Sequence, residues 1–368
     1  MIRLAGVALT ALLAACGDAG GPAPAGAVGE TPPAVVAATA PAVEVLATAP
    51  LEGTEFEALD VRVGDAAYRA YLRRAKSEAP LLLFVQGSGC DPLFTRTPDG
   101  TWRGTAGQDP VAALAGDRFH VLAVDKLHAG PAEPGSQSEC SEAFRKTHSI
   151  DHWTAALEAV ATVVGEHVDA TPGLRVLGLS EGAVSAARLA RDMDGVSQVA
   201  FISGHGCHQL DDMLVRSRRD WLASNPDATD AERQAGVAEA AVYQEDVLAE
   251  IFSDPDDWQR DIWGQTALFW STFGMACPAR DLAESDAEVF LAYGTEDEQV
   301  VADGLEEIVT RRIAAGKTTD TLRVVGGSHV LTVEGDANPY ARLLDAFRQA
   351  LDGMVEPPQG GTLTDQRQ

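Results

Sequence analysis

Gly178-Leu179-Ser180-Glu181-Gly182 decides how this chain is read. The five residues fit G-x-S-x-G. They lie between a strand-like apolar run, Leu174 to Leu177, and a helix-like run, Ala183 to Asp192. A serine on a sharp strand-to-helix turn projects its hydroxyl clear of the backbone. The flanking glycines leave room where a Cβ would clash. A helix that starts directly beneath the serine turns its free N–H groups and positive dipole end toward the same point, where they can stabilise a developing oxyanion. The context therefore predicts a nucleophile elbow with Ser180 at its apex.

In a chain with 35 glycines the pentapeptide carries weight only with partners. Two follow downstream. The apolar run Val289 to Tyr293 ends in Gly294-Thr295-Glu296-Asp297, and the run Leu322 to Val325 ends in Gly326-Gly327-Ser328-His329. Each places a polar residue of catalytic type just beyond the C-terminal end of a strand, the edge at which open α/β sheets bind ligands.

The surrounding pattern alternates. Phe56 to Val63 and Ala67 to Leu72 read as an opening hairpin around Gly64-Asp65. Leu81 to Val85 is a continuous apolar run of buried-strand type, and Phe119 to Val124 is the next strand. Trp153, Leu157, Val160, Val164 and Val168 recur at helical spacing within Ile150 to Val168. After the nucleophile strand, Leu174 to Leu179, come a strand over Val196 to Ile202 and the Asp297 strand. A helix from about Val301 to Ala314, the His329 strand and a last helix from about Pro339 to Leu351 complete the pattern. Strands alternating with helices imply an α/β class: a mostly parallel, twisted sheet with helices on both faces.

From about Gly204 to Ser285 the alternation breaks. Thr229-Asp230-Ala231-Glu232 fits a capping box, and Val237, Ala241, Val247, Leu248 and Ile251 follow at near-helical spacing. Trp258, Trp263, Phe269, Trp270 and Phe273 come next. The segment reads as a helical cap of about 205–285, inserted between the sixth and seventh strands. Its aromatic residues, Trp263 and Trp270 foremost, are expected to line an apolar acyl pocket.

The chain from about 52 to 352 thus resembles the α/β-hydrolase superfamily of serine hydrolases, which includes esterases, thioesterases and peptidases. The resemblance rests on the elbow at Ser180, the Gly294-to-Asp297 turn, the Gly327-Ser328-His329 turn and Gln86-Gly87-Ser88-Gly89 after the Leu81 strand. It implies the chain order Ser, Asp, His for the triad. Ser180 is then the nucleophile, His329 the base that takes its proton, and Asp297 the group that orients His329. Asp297 is preferred over Glu296 and Glu298 because it stands three residues after Gly294, as in the family's acid turn. In the family a His-Gly motif supplies the second oxyanion donor. Here Gln86 stands in place of the histidine, so the resemblance implies the backbone N–H of Ser88 or Gly89, acting with that of Glu181. Gln86 is expected to contact substrate. The expected activity is cleavage of a carboxylic ester or related acyl bond in a small-molecule substrate, with no cofactor. A peptidase or thioesterase is the alternative within the enzymes, and a catalytically silent envelope binding protein is the alternative outside them.

The rest of the chain bounds this reading. Its 368 residues suffice for one large domain with an insertion. A formal net charge of -27 argues against nucleic acid, because neutralising phosphates needs clustered Lys and Arg. Met1-Ile2-Arg3 followed by Leu4 to Leu13 has the layout of an export signal over 1–15, too short for a stable membrane span. Leu13-Ala14-Ala15-Cys16 resembles the lipobox of bacterial lipoproteins. This implies lipidation of Cys16 and anchoring to a membrane of the bacterial cell envelope. In a Gram-negative cell that is the outer membrane facing the periplasm, since Gly17 replaces the Asp of inner-membrane retention. Residues 16–50, rich in Ala, Pro, Gly and Val, read as a tether, 51–352 as the catalytic domain and 353–368 as a flexible tail.

Export makes disulfides available to Cys90, Cys140, Cys207 and Cys277, which allow three pairings. Cys207 and Cys277 lie near the two ends of the cap. Cys90 follows the oxyanion loop, and Cys140 lies in the connection after the Phe119 strand. The expected pairs are Cys90–Cys140 and Cys207–Cys277. Asp125 and Lys126, at the end of the Phe119 strand near the active edge, read as a solvated strand end, with substrate contact as the alternative. His205-Gly206-Cys207-His208 has no second ligand pair, so no metal is expected. No dinucleotide fingerprint accompanies the glycines.

Overall fold

The computed structural model describes residues 42–129 and 140–355. The expected export signal, Cys16 and nearly all of the expected tether lie outside the described residues, as does the end of the chain from 356. Among the described residues no helix is long and apolar enough to cross a membrane.

The chain opens with β1 (Val43–Pro50), β2 (Glu57–Val63), β3 (Ala66–Arg73) and β4 (Pro80–Val85). A small hairpin follows, β5 (Phe94–Arg96) and β6 (Trp102–Gly104), then α1 (Gln108–Ala115) and β7 (His120–Val124). Next come α2 (Glu142–Thr147), α3 (Ile150–His167), β8 (Thr171–Leu179), α4 (Glu181–Asp192) and β9 (Val196–Ile202). After β9 come α5 (Gln209–Ser224), α6 (Asp230–Ser253), the short pair β10 (Asp261–Ile262) and β11 (Gln265–Thr266), and α7 (Ala267–Phe273). The chain then runs through α8 (Pro278–Glu284), β12 (Glu288–Gly294), α9 (Ala302–Ala314), β13 (Asp320–Val324) and α10 (Ala341–Gly353).

Nine strands make one sheet in the order β1-β2-β3-β7-β4-β8-β9-β12-β13. The first four in that order pair antiparallel, and every pairing from β7 onward is parallel. The central strands are apolar on both faces because each face is covered by helices. In β4 the side chains alternate. Leu81, Leu83 and Val85 enter one core with Trp153 and Leu157 of α3 and Ala183 and Ala187 of α4. Leu82 and Phe84 enter the other with Val111 of α1 and Phe347 of α10.

Two expected boundaries move. Residues 43–50 fall in the expected tether yet form β1, paired with β2 from Val43 opposite Val63 to Pro50 opposite Glu57. The alternating Val43 and Val45 pack against the main core, and this local β pattern overrides the loose composition around it. At the other end Met354, expected in the tail, is buried in the second core.

The segment between β9 and β12 is largely helical, and the Thr229–Glu232 capping box is formed on both its arms. Leu210, Val247, Ile251, Ile262, Phe269, Trp270 and Phe273 gather into a third cluster that rests on Ile150 of α3 and Val184 of α4. Its last helix, α8, is an exception to the expected cap. Ala279 and Leu282 join the main sheet core instead, so the separate helical cluster ends near Ala276. Cys90 lies at disulfide distance from Cys140, and Cys207 from Cys277, spanning 50 and 70 residues of sequence.

Candidate active site

Ser180 sits between the last residue of β8 and the first of α4, with φ 57° and ψ −121°. Positive φ is costly for a non-glycine residue and persists only where the surroundings enforce it. Here they do. A Cβ on Gly178 would overlap the Gly182 carbonyl, and one on Gly182 would overlap the Val85 carbonyl. Both glycines are therefore required by close backbone approach. Gly87 is pressed against the same spot, since a Cβ there would lie 3.3 Å from Ser180 Cβ.

Asp297 and His329 arrive from the ends of β12 and β13. Their turns are tied together: Thr295 N–H donates to the Val324 carbonyl at 3.0 Å and Glu296 N–H to that of Gly327 at 2.9 Å. His329 Nδ1 lies 2.9 Å from Asp297 Oδ2 and 3.1 Å from Oδ1, and its Nε2 lies 3.0 Å from Ser180 Oγ. The imidazole thus bridges a carboxylate and a hydroxyl, one ring nitrogen to each. Asp297 Oδ1 also accepts from the backbone N–H of Gln299 at 2.7 Å and of Val300 at 3.0 Å, which fixes the carboxylate plane. Glu298, a neighbour of the acid, has a separate place: its Oε2 accepts from His329 N–H at 3.2 Å and steadies the histidine turn. Such a row can take the hydroxyl proton as oxygen attacks and return it to a leaving group.

Asp125 and Lys126 are not a solvated strand end. Asp125 Oδ2 accepts from Tyr71 Oη at 2.9 Å and its Oδ1 from Leu93 N–H at 2.7 Å, and burial pushes its carboxyl above the usual range. Lys126 is only 2% exposed. Its Nζ donates to the carbonyls of Gly87 at 2.9 Å and Gly89 at 3.1 Å, and pairs with Glu181 Oε1 at 2.9 Å. His148 Nε2 approaches the same carboxylate oxygen at 3.2 Å, and its ring stacks between Phe144 and Phe269. Burial pushes the Glu181 carboxyl up, but Lys126 and His148 together outweigh it and the carboxyl is held at about 2.

Lys126 therefore grips both halves of the loop pair around Ser180. A trans peptide sets C=O and N–H on opposite sides. With the Gly87 carbonyl turned to Lys126, the Ser88 N–H of the same peptide points away from it. Among the described residues neither Ser88 N–H nor Glu181 N–H has a protein partner. Gly89 has its carbonyl, not its N–H, constrained by the lysine.

A cavity of about 400 Å³ opens at Ser180, with Ser88 on its rim. Trp263, Trp270, Phe269 and Phe273 are among its lining residues, the two expected tryptophans included. Two expectations fail. Gln86 is buried, and it is not a lining residue: its carbonyl lies against Gly182, where the elbow helix comes closest. The pocket is also not purely apolar. Gln209, Met213, Arg216, Ser217 and Asp220 of α5 line it at intervals of one helical turn, joined by Gln244 of α6. A search for apolar periodicity passes over this polar stripe, although its spacing of three and four residues is plain in the sequence. Behind the pocket His205 Nε2 lies 3.2 Å from the Ala276 carbonyl, and burial lowers its pKa to about 4.

No family model matches the chain, and no curated protein matches it in sequence. Solved structures do match it in shape. The chain is similar to the acylaminoacyl peptidase of Pyrococcus horikoshii, at 12% identity and a TM-score of 0.54, over 82% of this chain and 41% of that one. It is also similar to a highly thermostable carboxyl esterase from Bacillus coagulans, at 12% identity and a TM-score of 0.51, over 86% of this chain and 99% of that one. At this identity the likeness is one of fold, and the chain has the α/β-hydrolase fold.

Proposed function

We propose that the protein is a serine hydrolase that cleaves a carboxylic ester or related acyl bond through an acyl-enzyme on Ser180. The observation that carries the reading is the row Ser180–His329–Asp297, with 3.0 Å and 2.9 Å between successive members. Ser180 Oγ attacks the acyl carbon while His329 Nε2 takes its proton. The carbonyl oxygen gathers negative charge, and the N–H groups of Ser88 and Glu181 receive it. His329 then returns the proton to the departing alcohol, thiol or amine. A water attacks the acyl-enzyme with His329 as base, which releases the acid and restores the serine. Asp297 holds the ring in the tautomer that leaves Nε2 free to accept, and stabilises the imidazolium.

In this reading the enzyme is exported and held at the cell envelope by lipid on Cys16. The lipobox-like Leu13-Ala14-Ala15-Cys16 supports that placement. Labelling with a fluorophosphonate tests the nucleophile. The whole chain should label once, and Ser180→Ala should not label. Absence of labelling in the native protein overturns the reading. A panel of acyl esters, thioesters and aminoacyl amides then ranks the bond class. Membrane fractionation of Cys16→Ser tests the anchor, since membrane attachment that survives the change, with the export signal removed, contradicts it.

A further inference from the structure

Four aromatic side chains line the cavity that opens at Ser180, and they differ in what they leave uncovered. Phe269, Trp270 and Phe273 are 2%, 6% and 4% exposed, packed into the helical cluster with Ile251 and Ile262. Trp263 alone of the four is half-buried. Its indole N–H is already committed, with Nε1 3.3 Å from Tyr243 Oη, and its ring meets that of Trp270 edge to face with centroids 5.7 Å apart. What Trp263 has left to offer a substrate is carbon surface on a rigid, flat ring.

The backbone holds this ring at a cost. β10 and β11 pair antiparallel with Ile262 opposite Gln265, so Trp263 and Gly264 are the two residues of a tight hairpin loop. Both have positive φ, 52° and 82°. Two positive values in succession mark the turn that favours Asn-Gly. A bulky aromatic residue is an outlier in the first of those positions. The turn does not need it. Asp261 Oδ1 accepts from Gly264 N–H at 3.0 Å, Asp261 Oδ2 lies 3.3 Å from Arg145 Nη1 of α2, and the Ile262 carbonyl accepts from Trp270 Nε1 at 2.7 Å. These contacts close and brace the hairpin without the Trp263 side chain. Backbone strain of this kind gathers at binding and catalytic sites, where the strained side chain has a task. Charge narrows what the ring would meet. The charged residues lining the cavity are Arg216 and Asp220, one of each sign, with Nε and Oδ2 3.8 Å apart. A neutral group therefore suits it, and a flat ring gains from an aromatic contact more than a saturated group of equal area.

We infer that Trp263 is the specificity-determining residue and that the substrate is an ester carrying a neutral aromatic ring, which packs on the Trp263 indole. This rests on Ser180 acting as the nucleophile. Three esters read it: benzyl acetate, with the ring on the alcohol; methyl phenylacetate, with the ring on the acid; and methyl acetate, with none. The native enzyme should favour one of the two ring-bearing esters over methyl acetate by at least about tenfold in kcat/KM. The saturated counterpart of that ester, with cyclohexyl in place of phenyl, should be worse by about threefold or more. Trp263→Asn suits the turn and removes the ring. It should lower the preference for the ring by about tenfold, in KM more than in kcat, with a thermal midpoint near native because relief of the backbone offsets the lost ring contact. Trp263→Phe keeps a ring and should retain most of the preference. A native enzyme that labels with fluorophosphonate but shows no preference for an aromatic ring overturns the substrate class and spares the nucleophile. An undiminished preference in Trp263→Asn, or its loss in Trp263→Phe as well, overturns the role of the indole surface. So does a marked fall in the thermal midpoint of Trp263→Asn, which would make the side chain a packing element of the hairpin. Failure of the native protein to label falls on the hydrolase reading instead.

Discussion

Two carboxyl groups are buried beside the candidate active site, and their surroundings move them oppositely from their ordinary values. Glu181, on the elbow side, has Lys126 at 2.9 Å and is held at about 2. Asp212, on α5, is pushed up to about 7 by burial, with the charges of Asp211 and Asp297 adding to the rise and the Val301 N–H at 3.3 Å and the Arg219 charge opposing it. Among the described residues no basic side chain comes within 4 Å of Asp212, whereas Glu181 Oε1 has both Lys126 and His148 within 3.2 Å. The elbow is thus a fixed, charge-matched frame built on the sheet. The base of the helical segment beside it rests on a carboxyl that prefers to be neutral. Catalytic geometry needs the first property, and a wall that must admit substrate tolerates the second.

The comparison breaks most severely if the elbow does not hold the nucleophile. Ser180→Ala and His329→Ala should each lower kcat by on the order of 10⁴ to 10⁶-fold, and Asp297→Asn by about 10⁴-fold, with the thermal midpoint near native for Ser180→Ala. Steady-state kinetics and calorimetry check this together, and a Ser180→Ala enzyme of ordinary activity would sink the assignment.

The compensation itself is tested by Lys126→Met. Removing the ammonium strands the Glu181 carboxylate in a buried site, which should cost about 3–5 kcal/mol in a denaturant titration. It also frees the Gly87 carbonyl, and with it the Ser88 N–H, so kcat should fall by about 10²-fold with a smaller change in KM. Adding Glu181→Gln removes the stranded charge and should restore much of the stability without restoring kcat. Recovery of both would reduce Lys126 to a structural role.

On the other side, Cys207–Cys277 closes 70 residues around the helical segment. Reduction should lower stability by about 2–4 kcal/mol and disturb substrate selection more than fluorophosphonate labelling. Peptide mapping without reductant should find this pair and Cys90–Cys140, and a different pairing would contradict both.

The smallest effect concerns pH. A raised carboxyl pKa means the folded state holds the proton longer. The Asp212 contribution to stability is therefore present below about 4 and lost as pH rises through about 7. Glu181 acts in the opposite sense: its contribution is present above its ordinary range and lost as pH falls toward about 2. Asp212→Asn should flatten the decline between pH 4 and 7 and stabilise the protein by roughly 2 kcal/mol above it. A decline that keeps its native slope in this variant would show that Asp212 is not the titrating group.

Much of the site could be read before the fold was known. The elbow, the acid turn and the histidine turn are short local signatures in which glycines stand where backbones nearly touch, and each follows an apolar run that had to be a strand. Lys126 escaped because nothing local distinguishes a lysine at an open strand end from one folded under a loop. Its burial is decided by Glu181, 55 positions away along the chain. The polar stripe from Gln209 to Asp220 escaped for another reason. A face is recognised in sequence by its apolar residues, and this one meets a cavity instead of a core. The boundary at β1 moved because two alternating valines suffice for an edge strand when a hairpin is ready to pair with them.

By itself the sequence determined the α/β alternation and the order in which Ser180, Asp297 and His329 follow their strands. These depend on periodicity and on turn chemistry, both of which act over a few residues. The tertiary structure alone decided which buried charges are matched, that Lys126 holds the loop facing Ser180, that Gln86 is buried outside the cavity lining, and that polar residues of α5 line the cavity. Those outcomes depend on which distant groups share a space too dry to leave a charge or an acceptor alone, and no local pattern encodes that pairing.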